Sequence, residues 1–441
     1  MAVKRYGQVD TAPLARPLTF ARSGRTAKNR LMKSSMAEYL ADWSRDKSVE
    51  GGVPTDEHVE LYRRWGKGGW GMILTGNIDV RHDALDAVGD MIISAEHEPE
   101  GPRFEKFREI AAAGTAEGGL IIGQLSHPGR QVGAHVNPVA LSASDVQLAP
   151  TMGMEFGKPH AASEEEIAGV IRSFAHAAAY LDKAGFSGAQ LHAAHGYLIS
   201  QFLSRRTNLR TDRYGAQTAE NRLRLVTEIV EAIKAVVSAD FVVGVKLNSV
   251  EFSDGGVTPA EAAEVVRQLE DHGVDFVELS GGSYEQLVPD DAPGKKESTK
   301  LREAFYLEFV KTMTGVMGRG KGGEGGGIKT YLVGGLRSAS VMVEALDVVD
   351  GVAVARAAAA EPDLANRLLD ADPETRAPGA VVPAGEESLE QFRSMLLARV
   401  QIAQVARGQE PLAYGDAEAM AGFGFEAVAR QVVGGAIRLE L

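Results

Sequence analysis

The sequence predicts an α/β fold: a (β/α)8 TIM barrel with an inserted lid loop and a C-terminal helical extension. Three observations carry the prediction. Short apolar runs able to form fully buried strands alternate with stretches of helical spacing, the pattern of βαβ units around a parallel sheet. Eight such pairs can be counted along the chain. The Gly-x-Gly-x-x-Gly turn that commonly opens a doubly wound sheet is missing.

In chain order, strands are expected near 29–36, 71–76, 120–126, 187–192, 241–247, 274–280, 330–333 and 350–355, each followed by a segment able to form a helix. The clearest helices are 163–184, 217–237, 258–272 and 301–317. Ser163-Glu164-Glu165-Glu166 reads as a capping box, and Thr258-Pro259-Ala260-Glu261 places an N-cap, a proline at the first helical position and an early acid. These are folding signals rather than catalytic carboxylates. Residues 127–162, rich in Pro, Gly, Ala and Ser, follow the third strand and would lie over the barrel mouth as a lid. Gly318 to Gly327 is dense in glycine but lacks the Gly-Lys-Ser/Thr ending of a phosphate loop, so it reads as a flexible connection. Residues 1–375 then form the barrel, and 376–441 an extension with a helix at 386–407 that packs on the barrel or on a second subunit.

Composition narrows the chemistry. The chain has 441 residues, 44% hydrophobic and 24% charged, and no cysteine, which removes disulfides, thiolate nucleophiles, cysteine-ligated zinc and iron–sulfur clusters. Redox chemistry must use an organic cofactor or a metal on N and O ligands. The charge, 47 − 60 = −13, argues against general binding to nucleic acid or anionic membranes. No apolar run approaches the roughly 20 residues that span a bilayer, and Met1-Ala2-Val3-Lys4-Arg5 lacks the apolar core of a signal peptide. A cytoplasmic location and a small-molecule substrate are expected, with room for a homo-oligomer.

In a barrel, catalytic groups come from the C-terminal ends of strands. The fourth run ends Gly188-Ala189-Gln190-Leu191-His192-Ala193-Ala194-His195-Gly196-Tyr197, placing two imidazoles and a phenol where strand becomes loop. Either histidine alone reads best as a core residue; together they form a site. His192 and His195 can also be read as metal ligands, although no Asp or Glu lies nearby in sequence. The third run contributes Gln124, whose amide suits a heterocycle's edge, and the fifth contributes Lys246, a fixed positive charge directed into the mouth. The seventh and eighth runs end in Gly334-Gly335 and Ala355-Arg356, where a barrel's standard phosphate site is built.

These residues resemble the Old Yellow Enzyme family of FMN-dependent NADH:flavin oxidoreductases and ene-reductases over about 27–370. The most specific stretch is His192-Ala-Ala-His195-Gly-Tyr197-Leu-Ile-Ser-Gln-Phe-Leu-Ser204 with Thr207-Asn208, Arg210-Thr211-Asp212, Tyr214-Gly215 and Glu220-Asn221-Arg222. Lys28-Asn29-Arg30-Leu31, Gln124 to Arg130, Val277 to Gly282, Gly334-Gly335 and Arg356 with Glu361-Pro362-Asp363-Leu364 support it. The resemblance implies a barrel that holds FMN non-covalently, reduced by NADH or NADPH and reoxidised by an alkene conjugated to a carbonyl or nitro group.

Carried over by motif, His192 and His195 would each present an N–H to the substrate oxygen, and Tyr197 would protonate the α-carbon. Lys246 and Gln124 would serve the flavin pyrimidine, and Ser35, Met36 and Ala37 its dimethylbenzene and N5 side. Gly76 would close against the ring, and Gly334, Gly335, Ala355 and Arg356 would hold the phosphate. Tyr39 matches a position that reaches toward substrate. Thr207 to Arg222 reads as structural. The chain departs from the pattern at Ala37, where relatives often have Cys or Thr tuning the flavin, and at Ser35, Arg205-Arg206 and Ala357-Ala358. The alternatives are a metal-dependent hydrolase on the same barrel using His192 and His195, and a barrel that binds FMN without turnover.

Overall fold

The computed structural model describes residues 9–42, 50–150, 154–250, 259–281, 327–334, 336–372, 375–377, 379–380 and 388–413. Eight strands make a closed parallel barrel: β1 (Leu31–Lys33), β2 (Met72–Asp79), β3 (Leu120–Ser126), β4 (Gly188–Ala193), β5 (Val242–Val250), β6 (Phe276–Gly281), β7 (Lys329–Val333) and β8 (Gly351–Val354). Each pairs with the next, and β8 returns to β1 through Val352↔Leu31, Ala353↔Met32 and Val354↔Lys33. Between them run α1 (Asp56–Lys67), α2 (Gly101–Thr115), α3 (Glu164–Lys183), α4 (Ala219–Lys234), α5 (Pro259–Asp271) and α6 (Ala339–Ala345), then α7 (Arg356–Ala360) and α8 (Leu364–Leu368).

The strands read as unbroken apolar runs because both faces are buried, one on the helices and one inside the barrel. Side-chain alternation divides the inner face into two levels. The lower level is apolar: Met32, Met72, Leu74, Leu120, Ile122, Val242, Phe276, Tyr331 and Ala353 form one cluster with Leu18, Phe20 and Ala27. Those last three belong to an antiparallel pair, Leu18–Thr19 with Thr26–Ala27, that plugs the barrel's N-terminal end. No sequence signal marked it. Two positions beyond Ile122, Gly188, Gly244 and Phe276 on β3 to β6, the same inward faces carry Gln124, Gln190, Lys246 and Glu278. The register sets Gln124 beside Gln190, His192 beside Lys246 and Lys246 beside Glu278. A shift in the β2–β3 pairing between Leu74 and Asn77 sets Thr75 and Gly76 against Gly123 alone, one extra residue, and re-aims Asn77 to lie opposite Gln124.

Helix α3 starts with the expected reciprocal cap: Glu166 N–H donates to Ser163 Oγ at 3.2 Å, and Ser163 N–H to Glu166 Oε2 at 2.7 Å. Thr258 and the expected helix 301–317 lie outside the described residues, as does nearly all of Gly318 to Gly327. Apart from 151–153, the insertion at 127–162 is described, and it is packed rather than splayed. Gly133 bridges Phe156, and Leu141–Ser142 pairs with His160–Ala161. Gln201 staples it to the loop after β4, accepting from Ser142 Oγ at 2.9 Å and donating to Pro128 and Gly196 carbonyls at 3.1 and 2.7 Å. In the extension, α9 (Ser388–Ala406) packs on α1 and α7 of the same chain.

Space inside the barrel is tight at Gly244, where a Cβ would run into the Phe276 ring; at Gly169 on α3 a Cβ would make only an ordinary contact with the end of Arg172 at 3.8 Å. Gly244→Ala is expected to lower unfolding free energy by about 1–3 kcal/mol, and Gly169→Ala to raise it by about 0.5–1 kcal/mol. Chemical denaturation of the two variants checks the opposite signs.

Candidate active site

The polar level of the barrel is organised by one carboxylate. Glu278 is fully buried and accepts from Ser34 Oγ and, at 2.8 Å, from Gln190 Nε2, while Lys246 Nζ pairs with it at 3.3 Å. Gln190 Oε1 in turn accepts from Gln124 Nε2 at 2.6 Å, and Gln124 Oε1 from Ser35 Oγ at 2.6 Å. The network therefore joins the ends of β1, β3, β4, β5 and β6. Lys246 thus has a counter-ion, Glu278, within the barrel.

Behind the end of β1 lies a second buried group. Glu38 accepts from Gly76 N–H at 2.7 Å and from the Tyr62 hydroxyl, and burial raises its pKa. Lys33 donates to Leu74 O at 2.7 Å with its ammonium 3.8 Å from the Trp65 ring centroid, and burial, partly offset by Glu38, lowers its pKa to about 7. Together they hold the turn that exposes the half-buried Ser35, Met36 and Ala37. Gly76 is required here, since a Cβ would collide with Glu38 and the Met36 carbonyl.

The β4 motif folds as a compact unit. The His192 and Tyr197 rings stack with centroids 4.0 Å apart, and the His192 and His195 rings meet edge-on. His192 Nε2 lies 3.1 Å from His195 Nδ1, His192 Nδ1 3.2 Å from Asn77 Oδ1, and His195 Nε2 3.0 Å from Ser280 Oγ. Asn77 Nδ2 donates to Tyr197 Oη at 3.3 Å and to Asp86 Oδ2 at 3.1 Å. Burial, then His195 and Lys246, push the His192 pKa well down; His195 falls to about 3, through burial and then Lys246. Both rings are neutral. In this arrangement the two rings bond to each other. Among the described residues, no cluster of three or more His, Asp or Glu side chains is suited to a metal.

On the far side, the paired ends of β7 and β8 bring Gly334, with a φ of 127°, next to Ala355 and Arg356; Gly335 lies outside the described residues. Tyr39, beyond the end of β1, has a φ of 56°. Arg399 from α9 donates to its hydroxyl at 2.6 Å and stacks 4.1 Å over its ring. Sequence reading missed Arg399, Asn77, Gln190 and Glu278 as site residues. The inward period of β4 and β6 pointed to Gln190 and Glu278; nothing local pointed to Arg399.

The donor set fits a flavin. Gln124 keeps an amide hydrogen and a lone pair beyond its two bonds, matching the alternating acceptors and donors of a pyrimidine edge. Lys246 retains a proton beyond its contacts with Glu278 and Ser34. The backbone at Gly334 adopts a conformation that side chains rarely allow.

Fold and site together define a barrel oxidoreductase that carries a flavin at the C-terminal ends of its strands. Residues 13–373 match the NADH:flavin oxidoreductase / NADH oxidase family. An NADH-dependent flavin oxidoreductase, nadA, of Aspergillus parasiticus is 43% identical over 410 residues, covering 92% of this chain and 89% of that protein. An NADH-dependent flavin oxidoreductase, iccE, of Talaromyces variabilis is 34% identical over 79% of this chain and 84% of its own. The old yellow enzyme homologue from Zymomonas mobilis superposes with a TM-score of 0.64 at 25% identity, over 81% of this chain and 92% of that one. The chain belongs to the Old Yellow Enzyme family, with FMN as cofactor and NADH or NADPH as electron donor. Among the described residues, no helix is long and apolar enough to cross a membrane.

Removing one partner of the buried pair should cost more than removing both. Glu278→Leu is expected to lower stability by about 3–5 kcal/mol, because it strands the Lys246 ammonium, and Lys246→Met added to it should recover part of the loss. A denaturation double-mutant cycle measures the coupling; losses that simply add would contradict the pairing.

Proposed function

We propose that the chain reduces the C=C bond of a small alkene conjugated to a carbonyl or nitro group, with NADH or NADPH as the source of electrons. The observation that carries this reading is the Tyr197 hydroxyl, held by Asn77 beside the histidine pair at the barrel mouth. Bound FMN supplies a hydride at N5 for the β-carbon. The chain's own residues do the rest. A substrate oxygen entering between His192 and His195 replaces their mutual hydrogen bond and draws electron density from the double bond. The Tyr197 hydroxyl lies where it can release its proton to the α-carbon. Gln124 and Lys246 hold the cofactor's pyrimidine edge, with Ser35, Met36 and Ala37 along its other side. Gly334, Gly335, Ala355 and Arg356 receive its phosphate, and Gly76 admits the ring.

Ala37 offers no thiol or hydroxyl to the flavin, so the tuning that relatives obtain there falls to Lys246 with its charge partly compensated by Glu278. Tyr39, with Arg399 stacked on it, forms the roof of the substrate's approach; burial raises the Tyr39 pKa and keeps it a hydroxyl donor. Charge and small-molecule chemistry favour a cytoplasmic enzyme with no role for nucleic acid or membrane.

The two half-reactions separate the roles. In anaerobic stopped-flow measurements, Tyr197→Phe is expected to slow reoxidation of the reduced enzyme by 2-cyclohexenone about 10²–10⁴-fold, with reduction by NADH unchanged. His192→Ala should weaken enone binding and slow hydride transfer together. Equal losses in both half-reactions of Tyr197→Phe would remove the general-acid assignment, and a yellow protein that NAD(P)H does not bleach would reduce the chain to a flavin-binding barrel.

A further inference from the structure

The row of hydrogen bonds that crosses the barrel from β6 to β1 has a direction. It starts at Glu278, which has the Lys246 ammonium 3.3 Å away; an opposite charge at that distance favours the ionised carboxyl, and an ionised carboxylate only accepts. Gln190, 2.8 Å away, therefore turns its nitrogen to Glu278 and its oxygen to Gln124. That oxygen is met by Gln124 Nε2 at 2.6 Å, which leaves Gln124 Oε1 facing Ser35. The last bond, Ser35 Oγ to Gln124 Oε1 at 2.6 Å, takes the hydroxyl hydrogen. Turning either amide alone would set oxygen against oxygen along the row.

Glu278, Gln190 and Gln124 are buried, whereas Ser35, just past the end of β1, is half-buried. A serine hydroxyl ordinarily donates or accepts as its neighbour requires. Here its one hydrogen is committed inward, so Ser35 offers a ligand lone pairs alone. A flavin responds to such a group according to its redox state. The oxidised ring has a bare, accepting N5; the two-electron-reduced ring carries N–H there and donates. An obligate acceptor on that side of the ring gains a hydrogen bond only when the cofactor is reduced.

We propose that Ser35 tunes the flavin: Glu278 and Gln190 are positioning residues that act through Gln124 to hold the Ser35 hydroxyl as an acceptor, which favours the reduced cofactor and raises its midpoint potential. The proposal rests on the reading that sets Ser35, Met36 and Ala37 along the cofactor, and is independent of which acceptor reoxidises it. Of these three side chains, only Ser35 carries a hydroxyl. A contribution that Ala37 cannot make thus comes from two positions earlier, and adds to that of Lys246.

The test is the midpoint potential of FMN in the holoenzyme, measured by anaerobic equilibration with a reference dye. Ser35→Ala is expected to lower it, by the equivalent of about a 3–10-fold loss of affinity for reduced relative to oxidised FMN. Ser35→Thr, which keeps the hydroxyl, should stay near wild type. Gln190→Leu interrupts the row and frees the Ser35 hydrogen, so it too should lower the potential, and in the double variant with Ser35→Ala the two shifts should not add. A Ser35→Ala potential equal to that of wild type, or shifts that add in full, overturns the proposal. If Gln190→Leu does not retain FMN, the two Ser35 variants decide alone. Ala37→Cys, which places a thiol at the same turn without touching the row, separates the two readings. A flavin spectrum and potential altered by Ala37→Cys but not by Ser35→Ala refute the role of Ser35 alone; both left unaltered refute the placement of the cofactor along this turn as well.

Discussion

The arrangement depends on a carboxylate buried inside the barrel. Glu278 sits where desolvation of a charge costs several kcal/mol, and it is tolerated there because an ammonium, an amide and a hydroxyl from three other strands converge on it. The strands are thereby tied to one another one step above the apolar floor of Phe276, Tyr331 and Ile122. The same pairing changes what Lys246 contributes. Its ammonium pairs with Glu278 and reaches the Ser34 hydroxyl at 3.4 Å, so its charge is partly compensated inside the barrel.

Much of the barrel was legible because its strands are buried on both faces and its helices begin with capping chemistry. The eight apolar runs fall on the eight observed strands, with ends displaced by a few residues, as at β2, which extends to Asp79, and β5, which extends to Val250. The residues that close the runs, Gln124, His192, Lys246 and Tyr197, also lie together. Illegible features depend on register or on distance along the chain. The Thr75-Gly76 irregularity brings Asn77 under Tyr197, and local spacing gives no hint of it. Arg399 reaches Tyr39 across 360 positions because α9 packs on α1 and α7, a choice made by helix faces and not by a motif. The plug at Leu18–Thr19 and Thr26–Ala27 is too short to carry a strand signal.

The segment after β4 shows how a long motif divides its work. His192, His195 and Tyr197 face the mouth, whereas Gln201 binds the insertion, and Arg210 holds the Ala143 and Ala162 carbonyls at 3.2 and 2.6 Å while pairing with Asp212. Asn208 donates to the Phe202 and Tyr214 carbonyls, both at 2.8 Å. The lid is thus fastened to the same loop that carries the candidate catalytic groups, so pocket shape and catalytic geometry are set by one connected piece of structure.

The most direct measurement is an anaerobic single turnover in which the holoenzyme, reduced by one equivalent of NADH, is mixed with one equivalent of 2-cyclohexenone and both flavin absorbance and product are followed. The account predicts recovery of the oxidised flavin spectrum together with one equivalent of cyclohexanone per FMN. A flavin that stays reduced until oxygen is admitted, with the enone recovered unchanged, would contradict it.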